Sequence, residues 1–208
     1  MARYTGPSCK LCRREGKKLF LKGDRCLSDK CAVSRRATVP GQHGAGRKTV
    51  KEYGMQLREK QTARRYYGVQ EKQFKKYYVK ADKKSGIAGE NLLSILESRY
   101  DNAVYRMGLA SSRKEARQLV RHGHFNLNGK KADIPSIILK VGDVIELREK
   151  SRSSEKFKEL MEDMANVTAP KWLDLNKDAA SAKVVAMPAR DDVDFDFNEQ
   201  LIIELYSK

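Results

Sequence analysis

Cys9, Cys12, Cys26 and Cys31 are the residues best placed to do chemistry, and they are the only cysteines in the 208-residue chain. They form two hooks, Cys-Lys-Leu-Cys at 9–12 and Cys-Leu-Ser-Asp-Lys-Cys at 26–31, with 13 residues between them. Each hook folds two thiolates onto one centre and the intervening loop closes back, so the spacing predicts one tetrahedral metal. Zinc is favoured because a closed four-thiolate set leaves no catalytic opening. An iron–sulfur cluster is the alternative that spacing leaves open. His43 could replace a thiolate, but four cysteines already complete a set. Lys10, Arg13, Arg14, Lys17, Lys18, Lys22, Arg25 and Lys30 crowd the hooks, and cations near sulfur favour the thiolate that binds metal. The expected role is structural: the ion ties down an arm too small to fold alone.

Other chemistry is scarce. His43, His122 and His124 form no nucleophile–base constellation, and Lys48-Thr49 lacks the strand and glycine spacing of a phosphate-binding loop. No catalytic function and no small-molecule substrate are expected. Charge points elsewhere: 43 Lys and Arg stand against 27 Asp and Glu, a net of +16. Residues 1–84 hold 24 basic and 7 acidic residues, whereas 151–208 hold 8 and 12. A charge gathered in one half is a footprint for polyanions. The opening residues lack the apolar core of a signal peptide, and no apolar run approaches ~20 residues. A cytosolic protein without a membrane span is expected. In that compartment two close cysteine pairs favour metal over disulfides.

Several elements must position these groups. The stretch 39–48, with Pro40 and three glycines, reads as a loop or extended basic arm. Residues 49–81 read as helices broken near Gly68, where Tyr67, Phe74 and Tyr78 share one face. That spacing favours core over base stacking and leaves the cations for backbone contact. Leu93, Leu96, Tyr100, Val104 and Met107 recur at helical spacing, with Gly108 to cap the end. Ser112-Arg-Lys-Glu115 has the capping-box pattern of a further helix. On it Arg113, Arg117 and Arg121 step by four along an outer edge, opposite Ala116, Leu119 and Val120. Asn128-Gly129 signals a hairpin that sets Lys130 and Lys131 beside its turn. Strands are expected at 137–141 and 144–147, a helix at 153–164, a Trp172 packing anchor, and a final strand or short element at 201–206. The acidic run 191–196 would repel phosphates and face solvent or a basic neighbouring protein.

The sum is an α+β chain in three parts. Residues 1–48 form the four-cysteine knuckle and basic arm. Residues 49–96 with 151–208 form a mainly helical body, and 97–150 form an inserted module of two helices and a small twisted antiparallel sheet. A basic helix beside a hairpin makes a shape-reading surface for structured RNA. The candidate RNA contacts are Lys10, Arg13, Arg14, Arg35, Arg36, Arg47, Lys48, Arg64, Arg65, Lys72, Lys75, Lys76, Arg113, Lys114, Arg117, Arg121, His122, Lys130 and Lys131. Of these, Arg117 is expected to be a phosphate contact whose loss weakens binding and flattens its salt dependence.

Arg99-Tyr-Asp-Asn-Ala-Val-Tyr-Arg-Met-Gly108, Ser112-Arg-Lys-Glu-Ala-Arg-Gln-Leu-Val120 and Asn128-Gly-Lys-Lys131 resemble the RNA-binding module of the S-four family of small-subunit ribosomal proteins. The flanks Pro40-Gly-Gln-His-Gly44, Gln56-Leu-Arg-Glu-Lys60, Glu71-Lys-Gln-Phe74, Tyr77-Tyr78 and 198–208 extend the resemblance to its bacterial and organellar form. The resemblance implies a primary rRNA binder that nucleates assembly of the subunit body at a junction in the 5′ domain. It implies neighbours in ribosomal proteins S-five and S-three, a place near the mRNA entry path, and an influence on decoding accuracy. It also implies that Arg113, Lys114, Arg117, Arg121, His122, Lys130 and Lys131 lie on the RNA face. Many bacterial members lack the four cysteines, and Tyr100 stands where leucine is commoner. Two rivals differ in class. An RNA-modifying enzyme is suggested because Arg99-Tyr100-Asp101 echoes a synthase motif, but there is no further domain of catalytic size. A zinc-dependent DNA regulator would need a recognition helix and a dimer with defined half-sites.

Overall fold

The computed structural model describes residues 3–46 and 49–207. Its fold is mixed α+β, built as two compact units, residues 1–92 with 195–208 and residues 93–194.

In the first unit, α1 (Ser8–Glu15) carries the first cysteine hook and ends at Gly16, whose φ of 68° gives the left-handed turn a C-cap needs. A 3₁₀ turn at Gly23–Cys26 and the short α2 (Ala32–Arg35) carry the second hook. The long α3 (Glu52–Tyr66) and α4 (Glu71–Asp82) are separated by Gly68 at φ 65°, the expected break. The aromatics of this region are core: Tyr66, Tyr67, Phe74, Tyr77 and Tyr78 are all buried. Phe195 and Phe197 pack on Tyr66, and Tyr206 stacks at 4.7 Å on Tyr78. Tyr206 belongs to α10 (Glu199–Ser207), which packs along α3. The expected final strand or short element is therefore a helix. Its apolar run Leu201, Ile202, Ile203 and Leu205 has strand-like composition, but burial of Ile202 against a helical neighbour decides the period.

The unit boundary falls inside α5 (Ala88–Glu97). The second unit continues through α6 (Tyr100–Arg106) and α7 (Arg113–Arg121). Then come β1 (Phe125–Leu127), β2 (Lys130–Lys131) and β3 (Val144–Leu147), and after them α8 (Glu149–Arg152) and α9 (Glu155–Ala165). The last elements are β4 (Leu173–Asn176) and β5 (Ser181–Val184). All pairings in the five-stranded sheet are antiparallel, in the order β2-β1-β3-β5-β4. Tyr100, Val104 and Met107 of α6 share one core with Val120, Phe125, Ile145, Phe157, Met164, Trp172 and Val184.

This topology corrects the expected partition. Residues 151–194 lie with 93–150, because β5 pairs directly with β3 through Ile145 and Ala182 and extends the small sheet. Only 195–208 return to the helical body. Residues 137–141 form no strand; Ile138 makes a single bridge to Arg99. Backbone groups there are used otherwise, with the Tyr100 N–H donating to the Ile137 carbonyl and the Leu139 N–H to that of Ser98.

Candidate nucleic-acid interface

The four cysteines line one chamber of about 10 Å³ with Lys18, Leu19, Lys22, Arg25 and Val33, and His43 is not among its walls. That is room for a single water-sized particle. All four are free thiols. The Lys22 N–H donates to Cys26 Sγ at 3.4 Å. Burial pushes the Cys12 thiol up, opposed by a backbone bond from Leu19, and the other three cysteines act on it through space. Burial also raises Cys31, but backbone bonds from Ser34 and Val33 and the charge of Lys18 outweigh it, so its thiol is lowered. Sulfurs that accept N–H bonds under nearby cations are a donor set suited to thiolate ligation. Among the described residues, however, no group of three or more His, Cys, Asp or Glu meets the spacing of an assembled metal site. The four cysteines share a chamber, and the metal clip is not shown.

Around the hooks, Lys10, Arg14, Arg35 and Arg36 are exposed. Arg13 Nε donates to the Thr38 carbonyl at 2.9 Å, and Arg35 Nε to that of Asp29 at 3.0 Å, so both brace loops while staying near the surface. Arg47 and Lys48 lie outside the described residues. Arg65, an expected RNA contact, turns inward instead. With Arg58 it pairs Glu15, whose side chain is inaccessible and whose carboxyl burial pushes up against those two cations. Arg64 sits 3.8 Å from Glu71. Lys72, Lys75 and Lys76 are exposed on α4.

The second unit corrects the row of arginines on α7. Arg117 is only 8% exposed, and its Nη1 donates to Asp101 Oδ2 at 3.0 Å. Arg99, 1% exposed, grips the same carboxylate from the other side at 2.9 and 2.5 Å. Arg113 Nε donates to Asn102 Oδ1 at 2.7 Å while its guanidinium lies over the Tyr105 ring. The physical reason is that Asp101 and Asn102 are buried on α6 and require partners, which the long arginines of α7 reach. Arg117 is thus a buried ion-pair residue and not an outward phosphate contact. Lys114 is half-buried; Arg121 and His122 remain exposed. The capping box is partly formed. Ser112 Oγ accepts from the Glu115 N–H, but the Glu115 carboxylate takes Ser111 and Lys156 instead of the Ser112 N–H.

The hairpin forms as expected. Asn128 and Gly129 adopt φ of 51° and 74°, the left-handed pair that a two-residue loop of this twist demands. Asn128 is held there by its side chain, which donates to Asp143 Oδ1 at 2.9 Å and accepts from the Val144 N–H at 2.8 Å. Adjacent strand residues point to opposite faces, so Lys130 and Lys131 diverge. Lys131 crosses over Gly123, just past the end of α7, so closely that a Cβ there would overlap its Cε. Arg148, not foreseen in the sequence, joins this corner: its Nη1 donates to the Gly123 carbonyl at 3.0 Å and its N–H to that of His124. No local motif announces it, because its role comes from the β3–α8 turn meeting α7.

His124 is packed on Phe157 and lies 3.0 Å by Nδ1 from Ser151 Oγ. Burial lowers its pKa from 6.5, with His122, Arg148 and Lys156 adding to the shift. A histidine held neutral in the fold but free to protonate when unfolded makes stability fall as pH drops below the unfolded value of 6.5 and on through the lower folded value. Thermal melts should show a steeper loss below that pH for the native chain than for His124→Gln.

Comparison with known proteins bears on both halves. The model of the "Ribosomal protein S4/S9 N-terminal domain" family matches residues 3–97, and that of the "S4 domain" family matches 99–145. The chain is 66% identical over 208 residues to "Small ribosomal subunit protein uS4" of Clostridioides difficile (strain 630), and 63% identical to that of Acetivibrio thermocellus. It is 60% identical to the protein of the same name from Citrifermentans bemidjiense, and each alignment covers all of both chains. Matched in both halves and along its whole length, the chain belongs to the uS4 family of small ribosomal subunit proteins.

Proposed function

We propose that this chain is a non-enzymatic constituent of the small ribosomal subunit that binds subunit rRNA in the cytoplasm. The observation that carries the reading is the full-length identity to curated uS4 proteins. The exposed cations at the α7–hairpin corner give it a physical basis. Arg121, Lys130 and Lys131 stand outward, as does the His122 ring, while Arg99, Arg106, Arg113 and Arg117 are spent on internal partners. The finer reading places it on the 5′ domain of the rRNA, where it nucleates the subunit body. It also sets the chain beside ribosomal proteins S-five and S-three near the mRNA entry path, with an effect on decoding accuracy. Among the described residues no helix is long and apolar enough to cross a membrane.

One zinc ion held by Cys9, Cys12, Cys26 and Cys31 belongs to this reading, as a structural clip. When bound it supplies cross-linking of the two hooks and no catalysis; an iron–sulfur cluster is the alternative. The chamber, its N–H donors and its cations support the choice of ligands.

The test is competition at fixed salt between 5′-domain small-subunit rRNA and duplex DNA for the full chain. Preference for the RNA is expected; preference for DNA would sink the reading in favour of a zinc-dependent regulator. Replacing Arg121, Lys130 and Lys131 together by Ala should reduce the salt slope of RNA binding by about 2 to 3, roughly one counterion per lost phosphate contact. Arg117→Ala should leave that slope unchanged in the folded protein.

A further inference from the structure

Asn128 and Gly129 are two residue types that react with each other when adjacent in this order. A main-chain nitrogen can attack the side-chain amide carbon of the asparagine before it, and glycine, with no Cβ, offers the least hindered nitrogen. Of the seven asparagines only Asn128 is followed by glycine; the others precede Leu, Ala, Val, Lys or Glu. Both turn residues are exposed, and a Cβ on Gly129 would meet nothing within 4 Å, so the space around it is open.

Against this stands a clamp on Asn128. Its Nδ2 donates to Asp143 Oδ1 at 2.9 Å, and its Oδ1 accepts from the Val144 N–H at 2.8 Å. Its own N–H donates to the Val144 carbonyl at 2.9 Å. Asp143 is fixed in turn: its Oδ2 accepts from the Lys140 N–H at 2.8 Å, and its N–H donates to the Lys140 carbonyl at 3.1 Å. These bonds hold the Asn128 amide across the turn toward β3, whereas ring closure needs it folded back over its own main chain.

We propose that Asn128 is a deamidation site gated by the Asp143 clamp. With the clamp open, the Gly129 nitrogen gives up its proton and bonds to Asn128 Cγ. The Cγ–Nδ2 bond breaks, Nδ2 leaves as ammonia, and a succinimide ring remains. One water then opens the ring. Addition at Cγ gives aspartate; addition at the main-chain carbonyl of residue 128 gives isoaspartate, with the chain rerouted through Cγ. One water is consumed, one ammonia is released, and no oxidation state changes. Either product sets a second carboxylate opposite Asp143, so repulsion replaces a hydrogen bond. Isoaspartate also adds a carbon to the main chain, which breaks the two-residue loop. Asp143 is a positioning residue here, and the hairpin that carries Lys130 and Lys131 is lost irreversibly in chains whose turn stays open.

The experiment incubates the full chain at neutral pH in three forms: native, unfolded in guanidinium chloride, and Asp143→Ala. Modification within residues 125–131 is read by the mass gained when OH replaces NH₂ and by labelling with an isoaspartate methyltransferase. One hydrogen bond shifts such an opening by about fivefold, so Asp143→Ala should react about fivefold faster than native. The unfolded chain, which has lost all three bonds on Asn128, should react roughly a hundredfold faster. Asn128→Gly, which suits the positive φ, should show no label at the turn. Circular dichroism melts establish that Asp143→Ala is folded. Should it melt early, Asp143→Asn, whose amide oxygen still accepts from Asn128, replaces it, with an expected gain of about twofold. Equal rates in the native and unfolded chains would overturn the proposal. So would an Asp143 variant no faster than native, or an unfolded chain that yields no isoaspartate at the turn. None of these outcomes depends on RNA, so they stand or fall apart from the proposed function.

Discussion

Removal of the proposed zinc ion with a chelator, or replacement of Cys12 by Ser, is expected to unfold the segment that carries the hooks while leaving the second unit folded. Apart from the hooks it is tied to α3 by Glu15 with Arg58 and Arg65 and by Lys17 with Glu59. Its own apolar cluster is Cys12, Leu19 and Leu21, joined by the partly buried Leu11, Val33 and Phe195. α2 is four residues long, and the 3₁₀ turn is another four. Helices this short are not stable by themselves. Structural zinc in small domains supplies on the order of 10–16 kcal/mol of apparent binding free energy, and where no site exists in the unfolded chain this becomes folding free energy. Amide hydrogen exchange should therefore lose protection across residues 8–35 and keep it across 100–184. Metal analysis of the anaerobically purified chain should find about one zinc and no visible absorption. Iron with sulfide would replace the clip by a cluster, and retained protection in a metal-free chain would show that the hooks need no ion.

Asp101→Ala is expected to cost the second unit about 3–5 kcal/mol, the range for breaking a buried ion pair from one side. Asp101 is 4% exposed and stands between Arg99 and Arg117, at 1% and 8%. Losing the shared carboxylate leaves two desolvated guanidiniums facing each other, while the backbone carbonyl of Pro135, 3.5 Å from Arg99, compensates weakly. For a unit of roughly 100 residues that loss lowers Tm by more than about 10 °C. Arg117→Ala should cost less, since Asp101 keeps Arg99. Chemical denaturation of the three proteins checks the order: native, then Arg117→Ala, then Asp101→Ala. Equal stability of the two variants would mean that Arg99 does not depend on this carboxylate. The same geometry explains why an Arg-Tyr-Asp run that echoes a catalytic motif serves structure here: the carboxylate is saturated by two cations inside the core.

Much of the design was legible because local rules leave strong marks. The Asn128-Gly129 turn, the Gly68 break and the Ser112 cap each follow from backbone needs that few residues can meet. The helical spacing of Tyr67, Phe74 and Tyr78 decided core over base stacking, and those rings are buried. What periodicity could not supply was the destination of long polar side chains. Arg113, Arg117 and Arg121 step by four in sequence, yet only Arg121 faces outward. Nothing in the helix's own sequence announces that α6 buries a carboxylate needing two cations.

The sequence by itself determined the class of partner, the hairpin and most helices, because charge, spacing and turn chemistry are local properties. Only the tertiary structure decided that 151–194 complete the sheet and that 201–206 is a helix. Strand pairing and packing faces depend on neighbours distant in the chain. It also sorted the cations into those spent inside and those left for a polyanion, since a charge is neutralised by what lies beside it in space.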